Sequence, residues 1–458
     1  MNSDIRILEI EPRFSEEVCR TPLKFGAVVM DRLTYCEVRA KVETRAGNVA
    51  EGWGGIFLAD FWAFPSRLVP HEKRDAAMRQ IVSRYANLVA GITTHKHPIE
   101  VFFETEDELS ATASTVSREM NFAEEMPFLG ALVCASPVDA ALHDAFGNAN
   151  GICSYDGCSA DFVGYDLSRW LGPAYQGKYP ADYVRPEYVP RVPVFHLVGG
   201  LDKLRRAEIT DDDPKEDLPV SLDQWIERDG LICLKVKLRG NDLDWDVERI
   251  IEVAAVAREV QMRQGKDELY LSVDTNEMCE SPDYIVEMLL KVRERSPRAF
   301  DAILYVEQPT GRDLRALCFD MRPIALLKPV IIDESLTTLE DFNLAMELGW
   351  SGIALKTCKG HSAALVFASK AAQEGVPYSI QDLTNPGLAL IHSVGLAARL
   401  SPIKGVEANA RQFFPATSRR HARVHPHIFN VKDGHVTTES LGPTGLGYRI
   451  EQMERQGE

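Results

Sequence analysis

The chain has no apolar run long enough to cross a bilayer. Its start, residues 1–12, is charged and lacks the hydrophobic region of a signal peptide. Basic residues are in deficit: 51 Lys and Arg stand against 68 Asp and Glu, for a net charge of -17. Nucleic acid is therefore excluded as a main partner, because phosphate binding needs a basic surface. An anionic substrate is not excluded, since a bound divalent cation reverses the sign locally. The nine cysteines are odd in number and scattered, unlike a disulfide framework. Cys153 and Cys158 are the closest pair, but no second pair or His cluster completes a zinc site. These absences lead to the expectation of a cytoplasmic, reduced protein without membrane contact. No low-complexity tract is present.

The 458 residues suit two domains, and a 45% hydrophobic content supplies a large core. Up to about residue 150 strand and helix signals mix. Residues 35–43 alternate like a strand, and residues 48–52 follow like the second arm of a hairpin. Residues 71–91 and 136–148 have helical apolar spacing. From about residue 192 the pattern changes to short apolar runs alternating with amphipathic helices. The runs are 194–198, 232–238, 269–274, 302–307, 330–333, 352–356, 378–381 and 405–407. Helical stretches lie between them, among them 244–264, 283–294, 339–348, 362–374 and 387–400. Eight such units predict a TIM-type (β/α)-barrel over residues 192–415. The expected fold class is thus α/β, with an N-terminal α+β capping domain over residues 1–150. Residues 151–191, rich in Tyr, Pro and Gly, read as a connection, residues 211–217 as a solvated loop, and residues 416–458 as a tail returning to the first domain.

In a parallel barrel, functional side chains gather at the C-terminal ends of the strands. Here five consecutive runs, the second to the sixth, each close on an ionisable residue. The second ends Lys235-Val236-Lys237, the third Val273-Asp274-Thr275-Asn276, and the fourth Val306-Glu307-Gln308-Pro309. The fifth ends Asp333-Glu334-Ser335, and the sixth Leu355-Lys356. A single strand-end carboxylate is ordinarily a cap or a surface charge. Three on consecutive strands repel one another unless a cation joins them, and hard oxygen ligands suit Mg²⁺. Asp333 and Glu334 compete for the third position, and Asp333 is preferred because Glu334-Ser335 begins the loop. Lys235 and Lys237 are two apart, so they share a face of their strand. Two adjacent ammonium groups disfavour each other's charge, which leads to the expectation of a partly neutral lysine able to act as a base. Lys356 comes from a strand across the barrel and would reach the opposite face of a bound substrate.

The ordered set Lys235-x-Lys237, Asp274-x-Asn276, Glu307-Gln308-Pro309, Asp333-Glu334-Ser335 and Lys356 resembles the enolase superfamily. Within it the likeness is to the mandelate racemase/muconate lactonizing enzyme family, and to its muconate-lactonizing subgroup. The segment Ser136-Pro137-Val138-Asp139-Ala140-Ala141-Leu142-His143-Asp144 resembles the helix joining that family's cap to its barrel. Gly442-Pro443-Thr444-Gly445-Leu446-Gly447 resembles its C-terminal return to the cap. The resemblance implies Asp274, Glu307 and Asp333 as Mg²⁺ ligands. It implies Lys237 as the proton acceptor, tuned by Lys235, with Lys356 as acid or base on the other face. Family racemases that use a His–Asp pair carry the His on the seventh strand. Here that strand ends Gln381-Asp382, which favours the lysine-based subgroup.

The implied activity is abstraction of the proton next to the carboxylate of a small acid, with the resulting charge stabilised electrostatically. Racemisation, epimerisation or cycloisomerisation would follow, and a homo-oligomer is the expected assembly. Substrate selection falls to the cap. Residues 53–64, beginning at Trp53, combine glycines with aromatics like a mobile lid, or like a loop packed between the domains. Lys24 and Phe25 sit where the family has its other specificity loop, and Asn276, Asp382 and Glu407 are further candidates for substrate contact. A sugar-acid dehydratase on the same scaffold would lose water where an isomerase conserves mass. A Schiff-base aldolase would be trapped by borohydride. A non-catalytic barrel would leave every acid unchanged.

Overall fold

The computed structural model describes residues 1–25 and 28–455, with the side chains of residues 23–25, 28, 29 and 455 outside the description. Two sheets organise the chain among the described residues. The first is antiparallel, in the order β1 (Ile5–Phe25), β2 (Val28–Thr44), β3 (Val49–Phe57). In β2, Cys36, Val38, Ala40 and Val42 are buried at every second position, the pattern of a sheet with one face on a core. Gly52 pairs with Ala40 and Gly54 with Val38, so both glycines lie on that buried face. It rests on the helix Phe128–Asn150, close enough that a Cβ on Gly54 would overlap the Pro137 carbonyl oxygen.

The helix starts eight residues before the expected Ser136 and runs through Pro137. Proline removes the N–H that would bond the carbonyl four residues back. The Ser136 hydroxyl donates to that freed Val133 carbonyl at 2.9 Å, so the helix continues.

The second sheet is the barrel. Its parallel strands are β4 (Arg191–Val198), β5 (Cys233–Lys237), β6 (Tyr270–Asp274), β7 (Ile303–Glu307), β8 (Val330–Ile332), β9 (Gly352–Lys356), β10 (Tyr378–Gln381) and β11 (Val406–Glu407). They pair in chain order, and β11 closes the ring on β4. Helices such as Leu243–Arg263, Pro282–Arg295 and His361–Glu374 link them. A ninth strand, β12 (His435–Thr437), adds antiparallel to β4. The tail meets the cap before and after this strand: Thr417 Oγ1 donates to Glu17 Oε2 and Arg420 to Glu37 Oε2, both at 2.6 Å. After it, Gly445 accepts from Ser154 N at 2.8 Å and Leu446 N donates to Asp144 Oδ1 at 2.6 Å. Residues 151–190 hold short helical turns and no strand, and no described helix is long and apolar enough to cross a membrane.

The close approach of β3 to the helix gives a stability test. Gly54→Val would force the helix and sheet apart, with a loss of about 3 kcal/mol or more in chemical unfolding. Gly47→Ala, at φ +86 with nothing within 4 Å of the new Cβ, should cost only about 1 kcal/mol. Equal losses would mean that the β3–helix contact is not tight.

Candidate active site

Strand register sets the site. Lys237, Asp274 and Glu307 are direct neighbours across β5, β6 and β7, so their side chains stand level at the barrel mouth. Asp333 follows the end of β8, and Lys356 is level with Gln381 across β9 and β10. Lys235 lies one layer deeper. Its Nζ donates to Glu307 Oε1 and Glu407 Oε1, both at 2.8 Å, and sits 3.3 Å from Asp274 Oδ2. Lys237 Nζ donates to Asp274 Oδ2 at 2.5 Å. Lys356 Nζ is 2.6 Å from Asp333 Oδ2, and Lys359 Nζ donates to the Asp333 carbonyl at 2.5 Å and contacts Oδ1 at 3.1 Å.

These pairs decide the protonation states. Burial works to lower the pKa of Lys235, but Glu307, Glu407 and Asp274 outweigh it and hold the ammonium well above its ordinary value. Lys356 is likewise raised, because Asp333 outweighs burial. The expectation that neighbouring lysines depress each other is thus overturned for Lys235, since carboxylates surround it. Burial opposes ionisation of Asp274 and Asp333, yet the lysines beside them keep both low. Glu307 behaves differently: burial outweighs Lys235 and pushes it up to about 8. Glu334 is raised further by burial and by Asp333, and its Oε2 is buried with no hydrogen-bond partner.

The donor set fits a hard divalent cation on these observations. Asp274, Glu307 and Asp333 offer carboxylate oxygens from adjacent strands, and Glu307 and Glu334 carry less positive charge around them than their burial demands. Ammonium groups stand at the oxygens a cation would use. Among the described residues no group of three or more His, Cys, Asp or Glu is arranged to hold an ion as it stands.

A cavity of about 40 Å³ joins Lys235, Lys237, Asn276, Asp333, Lys356, Asp382 and Glu407. Asn276 N donates to Asp274 Oδ1 at 2.7 Å. Asp382, pushed up to about 6 by burial, accepts from Asn409 N and Nδ2, both at 3.0 Å. Asn409 in turn accepts from Leu197 N at 3.0 Å, tying β10, β11 and β4 together. Backbone strain collects here as well. Asn276, Glu277, Gln308 and Thr384 have φ of +47, +66, +29 and +58, in the left-handed region that non-glycine residues rarely adopt. A larger groove of about 790 Å³ lies between the helices Glu106–Glu119 and Leu339–Glu347, but it meets none of the strand-end lysines or carboxylates. The strand-end lysines line the smaller cavity, which makes it the candidate site.

Trp53 is not in this group. It belongs to β3, its backbone N–H donates to Asp144 Oδ2 at 3.0 Å, and its side chain lines a separate groove with Glu51 and Arg449. Residues 53–57 are strand and not lid, because Gly52 and Gly54 serve close packing. Lys24 and Phe25 end β1 on the backbone, and their side chains lie outside the described residues.

The aromatic residues at the cavity are Phe61 and Trp62, on the short helix Asp60–Ala63. Trp62 is fully buried; its Nε1 donates to Glu334 Oε1 at 2.9 Å, and Lys356 Nζ lies 4.7 Å from its ring centroid. Arg312, paired with Glu277 at 2.5 Å, donates to the Trp62 carbonyl at 3.1 Å. Two further residues escaped the sequence reading. Gln381 Nε2 donates to Glu307 Oε2 at 2.7 Å, and its position at the end of the seventh run was a usable signal. Lys359 is three residues past Lys356, on a turn that no apolar pattern marks.

Residues 217–454 match the family model described as Enolase C-terminal domain-like. The chain belongs to that family, and is an enzyme of the mandelate racemase/muconate lactonizing type within the enolase superfamily. A search of curated proteins finds no match. Solved structures share the whole architecture. The L-Ala-D/L-Glu epimerase of Bacillus subtilis, in a substrate-liganded complex, is 15% identical, with 97% of this chain and 99% of that one covered at a TM-score of 0.62. A dipeptide epimerase from Enterococcus faecalis, complexed with Mg and the dipeptide L-Leu-L-Tyr, is 16% identical over 96% and 99%, at 0.59. The muconate lactonizing enzyme of Pseudomonas fluorescens, complexed with muconolactone, is 18% identical over 98% of each chain, at 0.58. At these identities the likeness carries the fold.

The indole at the cavity wall gives a direct test. Trp62→Phe leaves a buried Glu334 oxygen without its donor and should cost about 1–3 kcal/mol in denaturant unfolding. Trp53→Phe, half-buried on β3, should cost less than half as much. The reverse order would contradict the assignment of Trp62 as the aromatic that closes the site.

Proposed function

We propose that the protein is a Mg²⁺-dependent isomerase that removes the proton next to the carboxylate of a small acid, and returns a proton to the opposite face of the same carbon. The observation that carries this reading is the pairing of Lys237 and Lys356 in one cavity. β5 and β9 are four places apart in the ring of barrel strands, so the two ammonium groups approach from opposite sides.

Asp274, Glu307 and Asp333 would hold the cation. Mg²⁺ at these oxygens would supply positive charge beside the substrate carboxylate and draw Asp274 and Asp333 away from the lysines they now bind. A lysine that loses its carboxylate partner holds its proton less tightly, as a general base must. Lys235, held by Glu307 and Glu407, stays charged and contributes a fixed positive field. Asn276 and Gln381 keep Asp274 and Glu307 oriented. The epimerase and the lactonizing enzyme with the same architecture support an isomerase, and the Mg-bound epimerase supports the metal.

The cavity of about 40 Å³ is far below the ~300 Å³ at which small-molecule pockets begin. Substrate entry therefore calls for displacement of Phe61 and Trp62, which makes the helix Asp60–Ala63 the moving part of the cap.

A screen of carboxylic acids for α-proton exchange in D₂O reads the first step whatever the product. With an active acid in hand, Lys237→Ala should abolish exchange from one enantiomer and Lys356→Ala from the other. Each loss should be about 10²–10⁴-fold, mainly in kcat. Loss from the same enantiomer in both variants would indicate one base. Less than a few-fold change in either would refute both assignments.

A further inference from the structure

The segment after β9 carries Lys356 and Lys359, and it is anchored from the capping domain as well as from the barrel. Asp139 lies in the helix Phe128–Asn150 and is buried. Its Oδ2 accepts from Ser362 N at 2.9 Å and its Oδ1 from Ser362 Oγ at 2.7 Å. A carboxylate of one domain thus caps the first turn of the helix His361–Glu374 of the other, where N–H groups lack partners and negative charge is favoured. Ser362 spends its single hydroxyl proton on Asp139, so the 2.9 Å contact from His143 is an Nε2–H donated to Ser362 Oγ. Gly360, at φ +105, passes so close to the cap that a Cβ would meet the Phe102 ring at 2.6 Å.

Only the turn Thr357–Lys359 and Gly360 separate this anchor from Lys356. On its other side the turn is held by Lys359 on Asp333 and by Thr357 Oγ1 at 3.2 Å from Ser393 Oγ. We propose that Asp139 is a positioning residue for Lys356: by capping the helix His361–Glu374 from the other domain, it fixes where the lysine meets the substrate carbon. The proposal rests on the reading of Lys356 as a proton carrier. A displacement near 1 Å at a reacting group costs on the order of 10²-fold in rate.

The test uses the full chain and the variants Asp139→Ala, Asp139→Asn and Ser362→Ala, the last two retaining part of the hydrogen bonding should the alanine at 139 fail to fold. Amide hydrogen exchange read by mass spectrometry needs no substrate. Faster exchange confined to residues 357–366 is expected in each variant, least in Asp139→Asn. With an active acid, kcat for α-proton exchange on the Lys356 face should fall about 10–100-fold with KM within about 3-fold, while the Lys237 face is spared. Unchanged protection at 357–366, or equal losses on both faces, would overturn the proposal. A wild-type chain that exchanges no acid would instead remove the reading of Lys356, and this role with it, even where the amide result shows the anchor to be real.

Discussion

Four buried or nearly buried lysines meet a ring of carboxylates at the barrel mouth, and the rest of the structure is built around keeping those charges paired. An ammonium or carboxylate out of water is tolerated only with a partner and hydrogen bonds, and removal of one member of such a pair typically costs about 3–5 kcal/mol. Lys235 alone answers to Glu307, Glu407 and Asp274. It thereby links β5 to β6, β7 and β11 through the interior. Lys356 and Lys359 both answer to Asp333, which fixes the end of β8 against β9. The balance is uneven, however. Glu307 is pushed up to about 8 by its burial and Glu334 keeps an unpartnered oxygen. On the proposed reading, a site that holds its lysines this firmly, yet leaves acids short of positive charge, would exchange ammonium for metal.

Among the described residues, two helices of the capping domain reach that arrangement. The helix Asp60–Ala63 lays Trp62 over Lys356 and binds Glu334, with Arg312 holding its carbonyl. The helix Phe128–Asn150 reaches the segment after β9 through Asp139. Both contacts fall beside the ends of β8 and β9.

Much of the barrel was legible in the sequence because its strands are short apolar runs, five of them in succession closing on an ionisable residue, and parallel strands bury both faces. The same period also brought Lys237, Asp274 and Glu307 level. What failed depended on long-range packing. Gly52 and Gly54 read as flexible beside Trp53, whereas they admit the helix Phe128–Asn150 to the sheet. The lysine pair read as mutually repelling because the carboxylates between its members come from other strands. The helix read from Ser136 begins at Phe128, since its passage through Pro137 depends on the Ser136 hydroxyl, a side-chain event. The strand β1 went unrecognised, since Glu9, Glu11, Arg13, Glu16 and Glu17 hide its alternation under charge. The Asp139–Ser362 contact spans 223 positions, and no local pattern reports it.

The central claim is that the strand-end carboxylates, now held by lysines, form a divalent-cation site. A crystal soaked with Mn²⁺ in place of Mg²⁺ tests it most directly, because anomalous scattering locates the ion without reference to activity. The account predicts one strong peak bonded to oxygens of Asp274, Glu307 and Asp333, with the Nζ atoms of Lys237 and Lys356 withdrawn from Asp274 and Asp333. A peak bonded to other residues, or an ion bound while both lysine contacts persist unchanged, would contradict it.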